Sequence, residues 1–139
     1  MRKILFVDDD EDIRTIAHLS LTAVGGWQVT LADSGLQALE EARREPPDLI
    51  ILDMMMPNVN GLETLRRLRA EERTASIPVI FMTAKVQKAE IEQYRAAGAG
   101  VIAKPFDPMT LPAEICRVLG TNPQVPSQSL LSCLSDRTS

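Results

Sequence analysis

Five residues in this 139-residue chain could do chemistry together: Asp8, Asp9, Asp53, Thr83 and Lys104. Each directly follows or closes a short apolar run: Ile4 to Val7 before the aspartates, Leu49 to Leu52 before Asp53, Val79 to Met82 before Thr83, and Val101 to Ala103 before Lys104. Carboxylates brought together repel one another and raise their pKa values unless a cation neutralises them. Oxygen ligands without His or Cys suit Mg²⁺ or Mn²⁺. A lysine and a hydroxyl beside a metal-bound carboxylate suit a phosphoryl group, since metal, ammonium and hydroxyl can each meet one of its oxygens. Aspartate is itself a covalent phosphoryl acceptor. The chemistry of the set is that of an aspartyl-phosphate site.

That chemistry requires elements that bring the five residues to one place. Leu49 to Leu52 is unbroken and apolar, too short to span a membrane, and preceded by Pro46-Pro47. It reads as a strand buried on both faces, as in a parallel sheet covered by helices. Further strands are expected at Lys3 to Val7, Trp27 to Leu31, Pro78 to Met82 and Gly100 to Ala103. Helical spacing recurs from Ile13 to Val24, stopped by Gly25-Gly26. It recurs after Ser34 to about Arg44, from Leu62 to Glu72, from Val86 to Ala97, and in a last helix ending near Leu119. Asp107-Pro108 is a good cap-plus-first-residue pair for that last helix, whereas Pro112 would remove a backbone donor. Either the helix starts nearer Thr110, or Pro112 costs it one bond. Strand and helix alternate five times, which implies an α/β fold: a doubly wound, five-stranded parallel sheet with helices on both faces. In such sheets the carboxyl ends of the strands form the ligand-binding rim.

The bulk numbers fit one domain with a substantial core: 45% hydrophobic and 24% charged residues. The net charge of -4 argues against nucleic acid as a direct partner. Two cysteines, Cys116 and Cys133, are too few for a disulfide framework and lack metal-ligand spacing. The apolar run near the start is too short for a signal peptide, and no membrane-spanning stretch is present, so a cytoplasmic location is expected. Composition changes at Gly120. Residues 1–120 read as the domain. Residues 121–139 read as a flexible Ser/Pro-rich tail or linker stub, with one apolar patch at Leu130-Leu131-Cys133-Leu134 whose sharper reading is a short docking helix.

Each residue alone has a plainer reading. Asp8, Asp9 and Asp10 could cap a helix, and Asp10 is better taken as a cap than as a ligand. Asp53 could be a turn residue, Lys104 a solvated lysine and Thr83 a strand end. Met54-Met55-Met56 reads as apolar cover rather than a soft-metal site. His18 reads as structural or exposed, Trp27 and Tyr94 as packing residues, and Arg66, Arg67, Arg69 and Arg73 as a solvated helix face. The coincidence of the five at matched strand ends carries the functional reading.

The motifs Val7 to Asp10 (VDDD), Leu52 to Pro57 (LDMMMP), Asn60 to Glu63 (NGLE), Met82 to Ala84 (MTA) and Lys104 to Phe106 (KPF) make the chain resemble a CheY-like receiver domain of two-component response regulators, over about residues 2–120. The resemblance implies the flavodoxin-like strand order 2-1-3-4-5. It implies that Asp53 is the phosphorylation site, and that the donor is a sensor histidine kinase or histidine phosphotransfer protein. Asp9, Asp53 and the backbone carbonyl of Met55 would hold Mg²⁺, with Asp8 acting through water. Thr83 and Lys104 would contact the phosphoryl group, and Lys104-Pro105 would be cis. Relatives often carry Tyr or Phe three residues before the lysine as a rotating readout of activation; here that position is Val101. Relatives tune phosphate lifetime at the positions of Met55 and Lys85. A downstream protein target would be met through the face formed by the fourth helix, fifth strand and last helix, and a homodimer could form on activation. No direct nucleic acid and no membrane are expected as partners.

The function expected is a phosphoacceptor switch and not an enzyme, with at most Mg²⁺-assisted self-phosphorylation and slow autodephosphorylation. One alternative is a pseudo-receiver scaffold that binds partners without phosphorylation. Another is an aspartate-nucleophile phosphatase, which usually needs a second aspartate where this chain has Met55. A nucleotide-binding α/β protein fits less well, since neither G-x-x-x-x-G-K nor G-x-G-x-x-G occurs.

Overall fold

In a computed structural model of the chain, residues 3–54, 61–84, 88–96 and 99–121 are described. Five parallel strands are built where the apolar runs lie: β1 (Lys3–Val7), β2 (Gln28–Ala32), β3 (Leu49–Asp53), β4 (Val79–Thr83) and β5 (Ala99–Ala103). They form one sheet in the order β2-β1-β3-β4-β5. The helices between them are α1 (Glu11–Leu19), α2 (Gly35–Arg44), α3 (Gly61–Ala70), α4 (Lys88–Ala96) and α5 (Leu111–Thr121).

Side-chain alternation along the strands divides the core in two. Ile4, Phe6, Leu49, Ile51, Ile80, Met82 and Ile102 point to the face covered by α1 and α5, where they meet Ala17, Leu21, Leu111 and Ile115. Leu5, Val7, Ile50, Leu52, Val79 and Phe81 point to the other face, against Ala38, Leu39, Leu65, Leu68 and Tyr94. Every residue of β3 and β4 is buried, as expected for central strands covered on both sides. Fully burying one such Leu, Ile or Phe contributes roughly 1.5–3 kcal/mol, so these two layers hold the fold. Trp27 and Tyr94 are packing residues, 4% and 6% exposed, and Tyr94 stacks at a tilt on Phe81 with ring centroids 5.2 Å apart.

The helix boundaries follow local chemistry. Asp10 caps α1 by accepting from the amides of Asp12 and Ile13. Ser34 caps α2 by accepting from Gln37 N at 3.2 Å. After Leu19 the first helix widens into a π-helical stretch, Ser20–Val24, which spacing alone did not foretell. Gly26, at φ 74°, turns the chain out of it into β2. The last helix starts late. Asp107 folds the preceding residues by accepting from Met109 N at 2.9 Å, and α5 begins at Leu111. Pro112 is then the second helical residue, where no intrahelical donor is needed.

One expectation is corrected. Arg69 does not belong to the solvated arginine face of α3. It is half-buried and donates to the Ile77 carbonyl at 2.7 Å, and burial lowers its guanidinium pKa. Arg66 and Arg67 do face solvent, paired with Glu63. The tail beyond residue 121 lies outside the described residues.

Candidate phosphoacceptor site

Four strands end on one rim, and the sheet fixes where their terminal side chains stand. Asp53 is the last residue of β3, and Thr83 the last of β4. Asp8 and Lys104 each lie one residue beyond a strand, yet ladder bonds still hold both: Asp8 N donates to Ala32 O at 3.1 Å, and Lys104 N to Thr83 O at 2.9 Å. Asp8, Asp53, Thr83 and Lys104 are thus positioned by strand pairing, while Asp9 lies in the loop that follows β1.

Asp8 (1% exposed), Asp53 (4%) and Thr83 (2%) are buried polar residues. Asp9 beside them is exposed. Carboxylate oxygens of Asp8, Asp9 and Asp53 all lie within 4.8 Å of one another. The Lys104 ammonium reaches between two of them, 2.9 Å from Asp8 Oδ2 and 3.1 Å from Asp53 Oδ1. The other oxygen of Asp8 accepts from Asp10 N at 2.9 Å. Burial alone would lower the Lys104 pKa, but the hydrogen bonds and charges of Asp8 and Asp53 outweigh it and raise the pKa.

Three carboxylates against one ammonium leave the pocket with excess negative charge. The donor set is all hard oxygen, with one member open to solvent. Those properties fit a divalent cation such as Mg²⁺. Asp8 has both oxygens engaged by protein donors, whereas Asp9 faces solvent, so the two adjacent aspartates are not equivalent. The Met55 carbonyl and Lys85 lie outside the described residues. Lys104-Pro105 is cis. Val101 stands opposite Phe81 in the β4–β5 register and packs, partly buried, against the cluster containing Phe81 and Tyr94.

Two supports were not legible as site residues. Arg14, on the first turn of α1, donates from its guanidinium to the backbone carbonyl of Asp8 at 2.7 Å and ties the helix to the acidic loop. Its place four residues after the cap Asp10 is the only sequence signal. Gly61 reads from sequence as a turn residue after Asn60. In the structure it opens α3 against the site strand, where an added Cβ would lie 3.0 Å from Met54 Sδ and Phe81 Cε1 and 3.2 Å from Asp53 O. It is glycine for want of room.

The geometry agrees with the chain's relatives. The chain is 37% identical over 141 residues to the transcriptional regulatory protein AfsQ1 of Streptomyces coelicolor, covering 99% of this chain and 61% of that protein. It is 36% identical over 121 residues to a chemotaxis protein CheY homolog of Campylobacter jejuni, covering 86% of this chain and 93% of the relative. The chain thus spans about half to three fifths of the length of the longer transcriptional regulators it matches. Among solved structures, the chemotaxis response regulator CheY4 of Vibrio cholerae superposes with a TM-score of 0.78 at 33% identity, covering 85% of this chain and 98% of that one. A family model, the response regulator receiver domain, matches residues 4–116. With the strand order 2-1-3-4-5 and this sequence likeness together, the chain belongs to the response regulator receiver family, and its fold is the flavodoxin-like fold of CheY.

Proposed function

We propose that Asp53 accepts a phosphoryl group from a phosphohistidine donor in a Mg²⁺-dependent reaction, and that the modified domain switches its affinity for a protein partner. The observation that carries this reading is the convergence on Asp53 of a lysine ammonium at 3.1 Å and two further carboxylates within 4.8 Å. In the reaction an Asp53 oxygen attacks phosphorus, the P–O bond of an acyl phosphate forms, and the P–N bond to the donor imidazole breaks. Lys104 already stands beside an Asp53 oxygen, so negative charge gathering on the phosphoryl oxygens meets a fixed cation without reorganisation. Thr83 offers its hydroxyl to another phosphoryl oxygen. Asp9 and Asp53, with the Met55 carbonyl, would hold the metal ion, with Asp8 acting through water. Bound there, the ion supplies charge neutralisation between carboxylates and phosphoryl group.

The donor is a sensor histidine kinase or a phosphotransfer protein. The downstream partner meets the face of α4, β5 and α5. With Val101 in place of a rotating ring, the change at Asp53 passes through Thr83 and the loop after β4. The domain is a switch in a signalling pathway, and its location is the cytoplasm. Residues 1–120 form the receiver unit, and the rest is a tail or linker. Among the described residues no helix is long and apolar enough to cross a membrane.

The test is intact mass after incubation with Mg²⁺ and acetyl phosphate. A gain of one phosphoryl group is expected, lost with a chelator and in Asp53→Asn. Failure with acetyl phosphate and also with a panel of phosphorylated histidine kinases would leave the fold as a scaffold and defeat the proposal.

A further inference from the structure

Asp9 is the one exposed carboxylate of the acidic cluster, and among the described residues no donor bonds to its side chain. Its direction is therefore set by its own backbone, and three hydrogen bonds fix that backbone. Asp8 N donates to Ala32 O at 3.1 Å and holds the peptide before Asp8 in the sheet. Asp10 N donates to Asp8 Oδ1 at 2.9 Å and holds the peptide after Asp9. Between them, the Arg14 guanidinium donates to Asp8 O at 2.7 Å and holds the peptide that joins Asp8 to Asp9. A hydrogen bond from a charged donor is stronger than one between neutral groups. Arg14 is half-buried, on a helix whose start is pinned by the Asp10 cap. Among the described residues its guanidinium pairs with no carboxylate, so the Asp8 carbonyl is what it serves.

We propose that Arg14 is a positioning residue for the cation site: by fixing the Asp8–Asp9 peptide, it aims the Asp9 carboxylate toward those of Asp8 and Asp53. The inference rests on reading that cluster as a Mg²⁺ site, and it adds a residue from outside the cluster. Asp8 and Asp53 are held by strand pairing, so rotation of this one peptide would swing Asp9 and leave the other two in place. Mg²⁺ demands near-ideal octahedral geometry, so a misdirected ligand weakens its binding. The competing role for Arg14 is charge alone, and it has the opposite sign. A guanidinium near three carboxylates repels a cation. If Arg14 acted only through charge, its removal would tighten Mg²⁺ binding. If it acts by holding the peptide, its removal weakens that binding. The direction of the change therefore separates the two roles.

The experiment titrates Mg²⁺ into the full chain by isothermal calorimetry. It compares wild type, Arg14→Met, Arg14→Lys, Asp9→Asn and the double variant Arg14→Met with Asp9→Asn. The unfolding midpoint of each is measured in the presence of a chelator. Arg14→Met keeps the aliphatic stem and removes the donor. It is expected to stay folded without the ion and to bind Mg²⁺ roughly tenfold more weakly, as when a group that orients a metal ligand is lost. Arg14→Lys retains a donor and should recover part of the loss. In the Asp9→Asn background, Arg14→Met should have little further effect, because the group it aims is already gone. Unchanged or tighter binding in Arg14→Met overturns the proposal. So does an equal loss in both backgrounds. Unfolding of both Arg14→Met and Arg14→Lys without the ion also overturns it, since Arg14 would then belong to the scaffold. The expected Mg²⁺ pattern in a chain that takes no phosphoryl group from acetyl phosphate or phosphorylated kinases would uphold the role of Arg14 and defeat the phosphoacceptor reading instead.

Discussion

The Lys104 ammonium stands 3.1 Å from an Asp53 oxygen, although the two residues sit at the ends of strands separated by β4. The same ammonium holds Asp8 at 2.9 Å, so a single cation serves two buried carboxylates. Removing it leaves both facing each other. Lys104→Met is expected to lower unfolding stability at pH 7 by about 1–3 kcal/mol while the domain stays folded. Millimolar Mg²⁺ should return part of the loss by taking the place of the missing charge. Urea denaturation with and without Mg²⁺ measures this. An unfolded variant would assign Lys104 to the scaffold.

The same pair sets a pH dependence. Burial pulls the Lys104 pKa down, but hydrogen bonds and charge from Asp8 and Asp53 prevail and raise it above its ordinary 10.5. A raised value means that the folded state binds the proton more tightly than the unfolded chain does. The resulting stability is fully present below pH 10.5 and is lost as pH rises through the folded value. The difference in stability between wild type and Lys104→Met should therefore be flat from neutral to mildly alkaline pH and shrink above 10.5. A difference that already falls near neutral pH would contradict the assignment.

Asp8 and Asp9 are adjacent but unlike in burial and partners. Asp9→Asn should weaken Mg²⁺ binding by at least about tenfold without moving the unfolding midpoint measured in its absence. Asp8→Asn should disturb both, because it removes one end of the Lys104 bridge. Isothermal calorimetry beside thermal unfolding separates the two outcomes. Equal effects from both variants would show that their environments do not matter.

Gly100 lies where β5 passes under α5. A Cβ there would come within 2.3 Å of Val118 Cγ1, and a short branched side chain has little room to yield. Gly100→Ala is expected to cost about 1–3 kcal/mol. Val118→Ala in the same chain should recover part of it, and a double-mutant cycle measures the coupling.

Much of this arrangement is legible in the sequence, because apolar runs buried on both faces and their polar ends are local signals. The strands fall within a residue of where those runs place them, and Ser34 caps the helix expected of it. What escapes depends on long-range packing. The π-helical stretch after Leu19 keeps the same residue types as an α-helix. Arg69 looks like its solvated neighbours until its helix is set beside Ile77. Gly61 resembles a turn residue until Phe81 and Met54 are brought against it. Arg14 is an ordinary helix arginine until Asp8 lies beneath it. The Pro112 ambiguity is settled by where α5 begins: Leu111 is its first residue, which puts Pro112 in the first turn, where no intrahelical donor is needed.

The strand order also sets when the pocket can exist. Lys104 follows β5, an edge strand, and meets Asp8 across 96 residues of sequence. A chain made from its N-terminus therefore has its aspartates long before their counter-ion. Until the final strand zips onto β4, those carboxylates lack the ammonium that pairs with both in the folded domain. The completed cluster of Asp8, Asp53 and Lys104 thus reports that the last strand has docked.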